Sequence, residues 1–120
     1  MAAAIQDSTP PEVDKGNIDW EGSDHDHILK GTNGKHVNGW NRFGFDPKDP
    51  NNWSTLLPII QQVVQETDHY KVIPAKGALD GWVWFYKKSF AEIGVEVVVK
   101  IWGTVDGVIQ KLSDAIPYIK

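Results

Sequence analysis

Cysteine is absent from this 120-residue chain, and so is any apolar run long enough to cross a bilayer. The first absence excludes disulfides and thiolate metal sites, which leaves stability to packing and makes the fold indifferent to redox compartment. The second excludes a spanning helix, which needs about eighteen or more consecutive apolar residues. The N-terminus lacks the basic stretch and apolar segment of a signal peptide, so no cleaved segment is expected and the compartment stays open. Strong positive charge is missing as well. The net charge of -4 excludes a uniformly basic nucleic-acid-binding surface. No internal repeat is apparent.

What is present suits one globular domain. Hydrophobic residues make up 41% and aromatics 11%, enough to bury a real core. Charge is uneven along the chain: residues 1–26 carry seven acids against Lys15, whereas residues 27–120 carry eleven bases against nine acids. The mildly basic body permits a polyanionic substrate without demanding one.

The chain reads in three parts. Residues 1–22, rich in Ala, Pro, Asp and Gly with Pro10-Pro11 and no apolar period, are expected to be a linker or poorly ordered lead-in to a domain over 23–120. Such a lead-in suggests excision from a larger polypeptide. Residues 43–54 are dense in turn formers, after which Leu56, Leu57, Ile59, Ile60, Val63 and Val64 recur at helical spacing opposite glutamines. That pattern predicts an amphipathic helix with Ser54 as its N-cap and Pro58 near its first turn. From Tyr70 onward the period changes. Runs at Val72-Ile73, Trp82 to Tyr86, Val95 to Trp102 and Gly107 to Ile116 are β-branched and aromatic, separated by Gly, Pro and Asp, and predict the strands of a meander. Helix first and strands after argue for an α+β fold, with the helical part packed on a twisted antiparallel sheet and the other sheet face meeting solvent.

Three of the four histidines, His25, His27 and His36, fall within twelve residues, with Lys30 and Lys35 among them. Imidazoles titrate near neutrality, so a pair with a nearby ammonium can move protons while stabilising an anionic transition state. His25, between two aspartates, reads as a solvated residue without a role. His27 precedes the apolar Ile28-Leu29, where a folded element is expected to start. His36 reads equally as a turn residue, and His69 stands alone as a structural or solvated one. Trp82, Trp84 and Trp102 sit in strand patterns and read as core or sheet-face residues. Trp40 and Trp53 flank a loop that they either anchor or use to stack a base, and Arg42 is a candidate phosphate contact.

The order of several short motifs resembles a known family. His27-Ile28-Leu29 with Gly31, the second histidine at His36, Phe45-Asp46-Pro47 before Trp53-Ser54 and a helix, Gly94 to Val99, Asp106 to Ile109, and a closing Ala115-Ile116-Pro117 resemble the EndoU-type ribonuclease toxins. These are C-terminal domains of bacterial polymorphic and contact-dependent growth inhibition toxins, grouped with barnase, colicin and RelE nucleases in the BECR fold. The resemblance covers roughly residues 25–120. It implies metal-independent cleavage of RNA, with tRNA as the expected substrate, by transesterification between His27 and His36 and with no cofactor or metal. One imidazole takes the 2′-hydroxyl proton, the other protonates the leaving 5′-oxygen, and a cation steadies the phosphorane. The need for a 2′-hydroxyl restricts the substrate to RNA.

The cation implied by the resemblance is Lys87 or Lys88 by position after the aromatic strand, with Lys88 preferred, although Lys30 and Lys35 are nearer in sequence. The family's closing Ser or Thr corresponds to Ser113 or Asp114, Ser113 being the better chemical fit. Lys30, Lys35, Arg42 and Trp40 are the expected substrate contacts. Such a domain is secreted as part of a larger toxin, delivered to the target-cell cytoplasm, and opposed by a cognate immunity protein. Two other readings stand beside it. Asp24-His25-Asp26-His27 with Asn38 or Asn41 suggests a metal-dependent HNH-type nuclease, though a Phe-Gly-Phe loop follows Asn41 where that motif wants a helix. A small acidic protein with six tryptophans also suits a non-enzymatic immunity or carbohydrate-binding role.

Overall fold

A computed structural model describes residues 9–75 and 80–120. Three α-helices precede four strands: α1 (His25–Lys30), α2 (Val37–Asn41), α3 (Trp53–Glu66), β1 (Lys71–Pro74), β2 (Trp82–Phe90), β3 (Val95–Gly103) and β4 (Gln110–Ile119). The strands form one antiparallel sheet in sequence order, so the protein is α+β with helices first. The Gly107 to Ile109 stretch expected in the last strand is instead the turn before β4.

Alternation explains how the layers meet. Trp84 and Tyr86 of β2, Val95, Val97, Val99 and Ile101 of β3, and Leu112 and Ala115 of β4 form one buried face, and α3 lays Trp53, Leu56, Ile60, Val63 and Val64 against it. Each such aliphatic side chain, fully buried, contributes roughly 1.5–3 kcal/mol of transfer free energy. The helix begins at Trp53, two residues earlier than a cap at Ser54 allows. Pro50–Asn52 already form a 3-10 turn capped by Asp49, whose carboxylate accepts from Asn51 N at 2.9 Å, and the chain enters α3 from it without needing Ser54. Pro58 lies exposed inside the helix, where the carbonyl left without a partner can meet water.

Residues 1–8 of the expected lead-in lie outside the described residues. Residues 12–20 do not behave as a linker. Ile18 is buried, Val13 and Trp20 pack on the core, and Asp19 pairs in parallel with Lys111 at the edge of β4. Two backbone bonds secure that pairing, Asp19 N to Gln110 O at 2.8 Å and Leu112 N to Asp19 O at 2.9 Å. Gln110, only 3% exposed, adds both halves of its amide: its Oε1 accepts from Asp14 N and its Nε2 donates to Glu12 O. A buried amide must find such partners, and this one finds them only if the early residues dock. The folded unit therefore starts before residue 23.

Between β3 and β4 the register shifts at Lys100/Ile101, because Lys100 pairs with Asp114 whereas Ile101 pairs with Leu112. Ser113 is the extra residue of this bulge, and bulges re-aim the side chains beside them. The helical part closes on the same strand: a Cβ on Gly39 of α2 would come within 2.6 Å of Pro117 Cβ, so only glycine permits the approach.

Burial also sets a pH response. Tyr86 is 1% exposed, and burial, with Asp68 nearby as a lesser cause, pushes its phenol up to about 12 from 10.0. The unfolded chain then loses this proton first, so stability is unaffected below pH 10 and falls as pH rises toward 12. Urea unfolding between those pH values should show the decline, and Tyr86→Phe should flatten it.

Candidate active site

Asp24 caps α1, its carboxylate accepting from His27 N at 3.1 Å, and Gly31 ends the helix with φ +71, its N–H bonded to His27 O. Ile28 and Leu29 point into the core, which leaves His27 on the exposed side. After the turn at Thr32–Gly34, His36 folds back over α1 and becomes buried, 8% exposed. Its Nδ1 lies 3.0 Å from Ile28 O. A carbonyl can only accept, so Nδ1 carries the hydrogen and the neutral ring keeps its lone pair on Nε2. The imidazole packs so closely on Gly31 that a Cβ there would sit 2.5 Å from its Cδ2.

The two rings meet edge to face with centroids 6.0 Å apart. An acid and a base that each need a hydrogen bond of about 3 Å can share one phosphate across that separation. His27 Nε2 also lies 3.8 Å from Asp114 Oδ2, too long for a hydrogen bond but close enough to orient a charged ring. Asp114 itself is set by a bond from Ala115 N to its Oδ1 at 2.8 Å. Ser113 beside it is exposed on the bulge, so of the two closing candidates it is Asp114 that faces the histidine.

His27 opens onto a concavity of about 540 Å³ lined also by Asp24, Asp26, Lys30, Gly31 and Lys48. Lys30 Nζ is held by Asp26 at 2.9 Å. Lys48 reaches the same concavity from the turn where Asp46 Oδ1 accepts its N–H, and among the described residues it has no carboxylate partner. Turn-forming residues predict that turn, but no local pattern shows that it folds back beside His27.

The remaining expected contacts fall elsewhere. Lys88 is not with the histidines: it lies in β2, paired with Glu66 at 3.4 Å, and lines a separate concavity of about 570 Å³ that shares no residue with the first. Arg42 lines that second concavity too, its guanidinium donating to Ile93 O at 3.0 Å. Trp40 cannot stack on a base, because it is 0% exposed and donates its indole N–H to Ile28 O at 2.8 Å. Lys35 is exposed, without a contact that fixes it among the described residues. His25 has a structural use after all. It stacks on Trp53 at 3.8 Å, and Trp53 Nε1 donates to Glu21, whose carboxylate also sits 3.5 Å from the His25 ring.

Among the described residues no three His, Asp or Glu side chains converge as metal ligands, so the HNH-type alternative finds no ligand set there. No described helix is long and apolar enough to cross a membrane. No protein family, curated protein or solved structure matches the chain.

Gly31→Ala tests the seating of His36. The φ/ψ of this glycine is a region of order 1–3 kcal/mol unfavourable for other residues, before the clash with the ring is added. Urea unfolding should show at least that loss, and the His36 ring signals in NMR should shift more than those of His69.

Proposed function

We propose that this protein is a metal-independent endoribonuclease, the catalytic domain of an interbacterial toxin acting on RNA, with tRNA as the expected substrate. The observation that carries the proposal is the pairing of two imidazoles at 6.0 Å, one tied by Nδ1 to a backbone carbonyl and the other open to a concavity with lysines at its rim. His36, with its lone pair on Nε2, takes the proton of the 2′-hydroxyl as that oxygen attacks phosphorus. His27 gives a proton to the 5′-oxygen as the bond from phosphorus to it breaks. Lys48 or Lys30 offsets the charge gathered on the phosphorane. The products are a 2′,3′-cyclic phosphate and a 5′-hydroxyl, and no metal enters the balance.

The toxin setting rests on the likeness of the motifs to EndoU-type domains. It brings delivery from a larger secreted protein into the target-cell cytoplasm and a cognate immunity protein in the producing cell.

His27→Ala and His36→Ala, made separately, should each lower cleavage of total RNA by about a hundredfold or more, the scale of a lost general acid or base. Lys88→Gln should leave cleavage within about twofold, because Lys88 lies away from the pair. Circular dichroism matching the parent shows that the fold survives. Full activity in either histidine variant refutes the assignment.

A further inference from the structure

The helices cover one face of the sheet, and the other face has a composition of its own. In register across it stand Lys71, Phe85 and Lys100, with Trp102 opposite Lys111 one row away. Lys71 Nζ and Lys100 Nζ lie 4.6 and 5.4 Å from the centre of the Phe85 ring, Lys87 Nζ lies 4.6 Å from that of Tyr70, and Lys111 Nζ lies 5.3 Å from that of Trp102. Four ammonium groups thus alternate with aromatic rings over one surface.

Lysine stems routinely cover apolar surface for solubility, and that alone would explain their contacts with the rings. It does not explain their charge. Lys30, Lys88 and Lys120 each have a carboxylate within 4 Å, at 2.9, 3.4 and 3.2 Å, whereas among the described residues none of the four lysines on this face has one. Among the described residues eight Lys and Arg side chains lack a carboxylate within 4 Å, and four of them stand together on the face the helices leave bare. Tyr70 and Tyr118 stand there 45% and 48% exposed. Burial first, and then Tyr118 and Glu96, raise the Tyr70 phenol.

Unpaired cations call for a polyanion, and exposed rings between them call for one whose bases are free to stack. A duplex hides its base faces, but a single strand presents them. We propose that this sheet face binds single-stranded RNA, with Lys71, Lys87, Lys100 and Lys111 on phosphates and Tyr70 and Tyr118 against bases. The inference extends the ribonuclease reading by giving the substrate a second contact, and it concerns binding alone, so loss of cleavage and loss of binding are separate results.

The test uses the full chain carrying His27→Ala and a fluorescein-labelled unstructured RNA of about twelve nucleotides, followed by anisotropy between about 50 and 200 mM salt. Lys71→Gln with Lys100→Gln should weaken binding at least tenfold and reduce the log–log salt slope by roughly 1.4, about 0.7 for each cation removed from a single strand. Tyr70→Ala, and independently Tyr118→Ala, should weaken it about fivefold or more with the slope unchanged. Variants are compared only where their urea midpoints match the parent. Parent-like binding by the lysine variant, equal affinity for a duplex of the same length, or no RNA binding by a chain that light scattering shows to be a dimer would each overturn the proposal.

Discussion

The carbonyl oxygen of Ile28 holds the candidate site together. As one of the last carbonyls of a six-residue helix it has no partner within α1, and it accepts two buried donors instead, His36 Nδ1 at 3.0 Å and Trp40 Nε1 at 2.8 Å. Each bond contributes about 1 kcal/mol, and losing one strands a buried donor at a further 1–3 kcal/mol. Neither helix is long enough to be stable alone. They persist because this one atom joins α1 to α2, because Ile28, Leu29 and Trp40 fill the core, and because Gly39 lets α2 touch Pro117 of β4. The placement of His36 follows from that junction, and the 6.0 Å approach of His27 follows from His36.

Much of the architecture was legible in the residues, for reasons that differ by element. The helix over 53–66 and the four strands announce themselves by period, because one face of each is buried and the other is not. The histidine pair was legible as a pair, since nine residues spanning two glycines let the chain turn back on itself. What local pattern does not carry is long-range. Residues 12–20 look like a linker until Gln110, about a hundred residues away, supplies their hydrogen bonds. Lys88 looks like a catalytic cation until the sheet places it beside Glu66. Trp40 looks like a loop aromatic until the Ile28 carbonyl takes its N–H. Lys48 and Asp114 reach the histidines only through a turn and a bulge whose directions depend on the whole fold.

The distribution of charge follows the same division. Acids near the N-terminus serve the local structure: Asp14, Asp19 and Asp24 cap turns and a helix start, and Glu21 fixes Trp53 and His25. Of the bases that follow, Lys30 and Lys48 line the histidine concavity, Lys71, Lys87, Lys100 and Lys111 stand on the bare sheet face, and Arg42 and Lys88 line the second concavity. A chain acidic in total thus gathers four cations on the sheet face proposed to bind RNA, while its carboxylates bond to backbone and ring nitrogens and, at Asp26, Glu66 and Glu96, to lysines.

The central claim is that two imidazoles, without a metal, move the protons of an RNA cleavage. The most direct measurement is the end chemistry of RNA treated with the protein in excess EDTA, read with a substrate carrying one ribonucleotide in an otherwise 2′-deoxy strand. Cutting only at the ribonucleotide, leaving a 2′,3′-cyclic phosphate and a 5′-hydroxyl, is the predicted result. Cutting at deoxy positions, 3′-hydroxyl ends, or activity that EDTA abolishes and Mg²⁺ restores would contradict it.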